Sequence, residues 1–257
     1  MTAADVLPDR LDLLCRLTSS TPSWTLVKGA SSALNGRGDV DGAAPADDWD
    51  RISNACLDWA AETGRGPVLA CDHIPGSLVL AVVEPATKQI VQVDVLDHRQ
   101  VHGTTVLRAT DFLNATLEHG GYRRLSPGAE AVARVVLDEF RPGAPAIASG
   151  SLAELRTLLL DDPDGARALS NRLAPRFQAS IRAVAAGTWP RTSLLAAEVA
   201  CLLEGLRRPL PLLARMVAAP GRRACPLLKA LANERTVAGD LGDWIDAVRR
   251  IHPHPRL

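Results

Sequence analysis

Two aspartates with one valine between them, Asp39 and Asp41, stand in the stretch WTLVKGASSALNGRGDVDG, residues 24–42. An apolar strand over 24–28 leads into Gly29-Ala30-Ser31-Ser32, and the acids follow ten residues after the glycine. On a strand, positions i and i+2 project from one face, so the two carboxylates share a side. Carboxylates that close repel unless positive charge lies between them. Mg²⁺ meets that need, taking a few carboxylate oxygens and completing its shell with water and phosphate oxygens. A third acid, Asp94, interrupts an apolar strand in IVQVDVL, where Val91, Val93 and Val95 alternate with Gln92, Asp94 and Leu96. An acid there is costly to bury alone. If its strand lies beside that of Asp39 and Asp41, three carboxylates converge, enough for two ions and in-line displacement at phosphorus. The small residues of GASSA let phosphate oxygens approach backbone N–H groups where a helix opens. The hydroxyls of Ser31 and Ser32 add bonds there, and Lys28 and Arg37 are cations within reach of a triphosphate.

A strand, a Gly-Ser turn, a gap of about ten residues, an acid–apolar–acid triplet and a later strand acid form one pattern. In it the chain resembles the nucleotidyltransferase superfamily, which includes DNA polymerase β, the poly(A) and CCA-adding enzymes and the small antibiotic-modifying nucleotidyltransferases. The matching residues are Gly29, Ser31, Asp39, Asp41 and Asp94, and the resemblance covers residues 24–96. It implies that Asp39 and Asp41 bind metal and that Asp94 completes the site and helps deprotonate an acceptor hydroxyl. It further implies two Mg²⁺ ions and an NTP substrate, with a small molecule as acceptor and RNA, as in toxin-type enzymes acting on tRNA, as the rival. A non-catalytic descendant that only senses a nucleotide or binds a partner is the alternative from another class. Two departures stand out: Ala30 where the family has Gly or Ser, and Gly42 where an apolar residue is usual.

Plainer readings of the same residues exist. GRGDVDG also fits a solvated turn. GASSA also fits a loose G-x-S-x-A nucleophile elbow, with His73, His98, His102 and His119 as partners. Arg123 and Arg124, in GYRRLSPG, serve either phosphate binding or a solvated turn before a helix. His252 and His254 fall in a terminal HPHP tail.

The elements that must position these groups follow from periodicity. Helical spacing marks 5–18 and Asp47–Thr63, the latter started by Pro45 and the acids at 47, 48 and 50. Strands are expected at 67–73, 77–84 and 89–96, with short connections that favour antiparallel pairing. A helix is expected over about 110–119 and another from Ala129. The Pro/Gly/Ala/Ser-rich stretch 141–151 reads as a linker. Beyond it SLAE, 151–154, is a capping box, and no strand pattern is evident after Ser151. The expected fold is α+β: a nucleotidyltransferase-like mixed sheet with flanking helices over 1–142, then an all-helical domain over 143–257.

The 257 residues carry no net formal charge. Residues 1–140 nevertheless hold 12 basic and 19 acidic side chains, against 17 and 10 in 141–257. An acidic half joined to a basic half suits a metal site facing an anion-binding surface, or two halves that attract each other. No apolar run reaches the roughly 18 residues of a membrane span, and the N-terminus lacks the bases and apolar core of a signal peptide. The expectation is a cytoplasmic protein with no membrane partner, its oligomeric state open. Five scattered cysteines without a C-x-x-C pair read as buried free thiols.

Overall fold

The computed structural model describes residues 3–36, 38–66, 68–71, 76–84, 89–139, 149–207 and 228–231. Two compact units divide the chain. The first comprises residues 1–97, 120–123 and 217–257, the second residues 98–119 and 124–216.

In chain order the first stretch gives α1 (Ala3–Ser20), β1 (Thr25–Lys28), α2 (Ala30–Leu34) and β2 (Val40–Ala43). A 3-10 turn, Ala46–Asp48, leads into α3 (Trp49–Glu62), followed by β3 (Val68–Cys71), β4 (Ser77–Glu84) and β5 (Gln89–Leu96). Then come β6 (His98–Val101), β7 (Thr104–Arg108), α4 (Ala109–Phe112), β8 (Thr116–His119) and β9 (Tyr122–Leu125). The helices α5 (Pro127–Arg134), α6 (Ser149–Asp161), α7 (Pro163–Ser170), α8 (Pro175–Ala185) and α9 (Arg191–Arg207) precede a last strand, β10 (Leu228–Leu231). The molecule is therefore mixed α+β.

The sheet of the first unit runs β10-β3-β4-β5-β2-β1-β9. It is mixed: β2 and β5 run parallel, while β1–β2, β4–β5, β3–β4 and β3–β10 are antiparallel. Its core gathers Leu13, Leu14 and Leu17 of α1 with Ile52, Cys56 and Trp59 of α3, packed with Val91, Val93 and Val95 of β5. Side chains alternate on a strand, so burying those valines turns Gln92 and Asp94 to the opposite face. A slip of one residue would drive Asp94 among leucines and expose three valines worth about 1.5–3 kcal/mol each. The apolar pattern thus fixes the register that matters for the acid.

Two polar clusters brace the helices of this unit. Arg65, just after α3, forms a two-pronged bond with Asp9 of α1, at 2.6 and 3.0 Å. Its guanidinium also lies 4.8 Å from the centre of the Trp59 ring. At the other end of α3, Asp48 accepts hydrogen bonds from Ser23 Oγ and Arg51 Nη1. Burial pushes the Cys56 thiol up to about 12, so it acts as a core residue rather than a nucleophile.

In the second unit Asp162 joins two helix starts. Its Oδ1 accepts from Gly165 N at 3.0 Å, inside α7, and its Oδ2 accepts from Gly128 N at 2.9 Å, inside α5. Burial alone would raise this carboxyl. Polar neighbours, Ser126 and the two amides, outweigh it and hold the group below the usual carboxylate range. The packing is close: a Cβ on Gly128 would lie 1.9 Å from the Asp162 carbonyl oxygen.

Three local expectations give way. The helix expected over 110–119 stops at Phe112, passes through a 3-10 turn and becomes β8. Tyr122–Leu125, in the stretch read either as phosphate-binding or as a solvated turn, is β9. Gly120 and Gly121, both at positive φ, provide the tight reversal between the two strands. A strand, Leu228–Leu231, occurs after Ser151 and pairs with β3. Its LKAL pattern suits helix or strand, and the exposed edge of β3 decides between them.

Candidate functional site: an acid pair across parallel strands

The ladder of β2 and β5 sets Asp41 directly opposite Asp94. Parallel neighbours lie about 4.8 Å apart and their partnered residues face the same way, so the two carboxylates sit side by side. Both are half-buried. The antiparallel ladder of β1 and β2 adds the third member of the row. Leu26 opposes Gly42, then the register shifts, and Lys28 rather than Val27 opposes Asp41. Without that bulge Lys28 would oppose Val40, a residue of the apolar core. The extra residue moves the ammonium to the acid face, where Lys28 Nζ lies 3.6 Å from Asp41 Oδ1. Gln92, two residues before Asp94 on the same face, donates from Nε2 to Asp94 Oδ1 at 2.8 Å.

The surrounding glycines are set by shape. Gly29 caps α2 in the left-handed region at φ 69°, with nothing within 4 Å of where a Cβ would stand. Conformation, not space, asks for glycine there. Gly42 is the reverse case: a Cβ would lie 2.5 Å from Nε1 of Trp24. The buried indole occupies the volume that an apolar side chain would fill, which explains the departure from the nucleotidyltransferase pattern at this position.

Not every expected residue joins the row. Ser31 and Ser32 lie on α2 and are exposed. Asp39 precedes β2 and is exposed as well. Among the described residues no group of three or more His, Cys, Asp or Glu is arranged to hold a metal ion. The structure brings Asp41 and Asp94 together and leaves Asp39 outside that pair. Arg37, His73, His252 and His254 lie outside the described residues. Arg123 is engaged by the fold: its guanidinium donates to the carbonyls of Pro22 and Trp24, and its amide donates to Thr18 Oγ1. Arg124 Nε donates to the Leu125 carbonyl at 3.2 Å.

Gln92 is the residue that the acid triad does not include. Its trace in the sequence is a polar side chain in the same alternating strand, two residues from Asp94, which places it on the acid's face. The bulge that recruits Lys28 leaves no comparable trace, because bulges depend on pairing between strands.

No family model, no curated protein and no solved structure matches the chain. Among the described residues no helix is long and apolar enough to cross a membrane.

Proposed function

We propose that the first unit is a nucleotidyltransferase that moves an NMP group from an NTP to an acceptor hydroxyl and releases pyrophosphate. The observation that supports this most is the pairing of Asp41 with Asp94 on adjacent parallel strands. Two half-buried carboxylates side by side are unfavourable unless a cation binds between or beside them. The donor set is all oxygen and suits Mg²⁺, with Asp39, two residues upstream of Asp41, as the further ligand that a second ion needs. When bound, Mg²⁺ supplies charge neutralisation at the transferring phosphoryl group.

In the reaction the acceptor oxygen bonds to the α-phosphorus as the bond to the bridging oxygen breaks, and pyrophosphate leaves. Asp94 takes the hydroxyl proton and passes it to solvent, with the Gln92 amide orienting the carboxylate. Gly29, Ser31 and Ser32 border the phosphates, and Lys28 and Arg37 supply positive charge. The acceptor is a small molecule in this reading, with an RNA as the rival, and the setting is cytoplasmic.

One observation favours the non-catalytic alternative: Lys28 already lies beside Asp41, so the pair is neutralised in part without metal. Calorimetry with each NTP in the presence and absence of Mg²⁺, followed by pyrophosphate release over an acceptor panel, separates the two. Mg²⁺-dependent binding with release supports transfer. Binding without release supports the sensor. Equal NTP binding with and without Mg²⁺, unchanged in Asp41→Asn and Asp94→Asn, overturns the metal site.

A further inference from the structure

The second unit contains a cleft that the acid pair does not explain. The hairpin of β6 and β7 reverses at His102 and Gly103, both at positive φ (49° and 80°). That two-residue reversal is the tight kind whose twist matches paired strands. The hairpin is fastened to α9 at three points. Thr104 Oγ1 donates to the Cys201 carbonyl at 3.0 Å, and His102 Nε2 lies 3.3 Å from Glu198 Oε1. Gly205 admits the His102 carbonyl, which a Cβ there would approach to 2.1 Å. Hairpin and helix therefore form a fixed wall rather than a loose flap.

Two adjoining cavities of about 400 and 490 Å³ open along that wall, sharing Thr104 and Glu204. They differ in character. The larger is lined by Arg108 and Arg172 together with Gln100, Thr105 and Asp111. The smaller is lined by Phe177, Pro175, Ala197, Ala200 and Leu203, with Arg176 and Arg207 at its border. Four arginines thus meet two acids, Asp111 and Glu204. Part of this charge is already engaged: Arg176 Nη1 donates to the Ala196 carbonyl, Arg207 lies 3.7 Å from Glu204, and Asp111 accepts from the Arg108 amide. Among the described residues, neither the Arg108 nor the Arg172 guanidinium belongs to an ion pair.

We propose that this double cleft binds a small organic phosphate, its phosphate against Arg108 and Arg172 and its apolar or aromatic body in the chamber of Phe177 and Leu203. Guanidinium groups recognise phosphate oxygens through forked, charge-assisted bonds, and Arg108 and Arg172 line one cavity. Each cavity has the size of a small-molecule site, and an apolar chamber beside a few polar anchors is the usual form of one. The proposal does not rest on nucleotidyl transfer.

The test is calorimetry on the full chain, without Mg²⁺ or NTP, using 1-naphthyl phosphate as probe. The expected result is saturable binding, with inorganic phosphate and 1-naphthol each weaker by about tenfold or more, since each lacks one half of the recognition. Arg108→Gln with Arg172→Gln weakens the probe by about tenfold or more, while Asp41→Asn and Asp94→Asn leave it unchanged. Unaltered melting of the arginine variant shows that the fold survives. Absence of saturable probe binding overturns the proposal, as does binding that the arginine variant retains in full. Binding of a single-stranded RNA but not of the probe also overturns it, in favour of a macromolecular phosphate.

Discussion

Asp162 and the Asp41–Asp94 pair show two ways to hold a half-buried carboxylate. Asp162 accepts from the Gly128 and Gly165 amides, and its carboxyl lies below the usual range. Asp41 instead has another acid for its neighbour across the ladder, with a lysine at 3.6 Å on the other side. Donors that face an acid from several backbone elements build the fold. Acids that face each other carry like charge that must be offset, and here Lys28 and the Gln92 amide supply part of that from neighbouring positions.

The largest effect is expected at the acid pair. Asp41→Asn and Asp94→Asn are expected to lower the rate of NTP turnover by about 10³-fold, or about 4 kcal/mol, with melting unchanged. Pyrophosphate release and a thermal melt check this, and wild-type rates in both variants would remove the distinction. Gly128→Ala should destabilise the second unit by about 3 kcal/mol, because the added Cβ would press on the Asp162 carbonyl. Gly42→Ala forces the Trp24 indole aside, with an expected loss of about 2 kcal/mol by urea unfolding.

Asp162→Asn sharpens the contrast through pH. Its folded carboxyl lies low, so its stabilisation is present above the unfolded carboxylate value and is lost as pH falls through the folded one. The deficit of the variant, about 1–2 kcal/mol, should be full above about pH 5 and shrink as pH drops below about 4. Stability curves of both proteins against pH read this out, and a constant gap would mean that Asp162 does not titrate differently in the folded state. Smallest of all is Glu154→Gln. Its paired bonds to Arg134, at 2.7 and 3.0 Å, lie on the surface, with the Glu154 side chain 59 % exposed. A change of no more than about 0.5 kcal/mol is expected.

The strands that carry the acids were the most legible part of the chain. The ranges 77–84 and 89–96 coincide with β4 and β5, because alternation in an amphipathic strand is a strong periodic pattern. The same alternation put Asp94 opposite the valine face. The β6–β7 hairpin was not legible, because its reversal uses His-Gly rather than the Asn-Gly or Asp-Gly that marks such turns. Gly120-Gly121 was the readable counterpart, a two-glycine reversal between short strands that the helical spacing over 110–119 obscured. Which strands neighbour one another was beyond local pattern altogether. The bulge at Val27 and the adjacency of β2 and β5 exist only once distant segments pair. Asp39, the other half of the readable spacing, precedes the strand and lies exposed.

The parallel ladder between β2 and β5 joins positions 53 apart in sequence. Pairing them closes a long stretch of chain that includes α3, β3 and β4, and the loop entropy lost is offset only once the ladder forms. Such distant closure belongs among the slow, late events of folding. The acid pair therefore exists only once β2 and β5 have joined, and neither segment alone contains it.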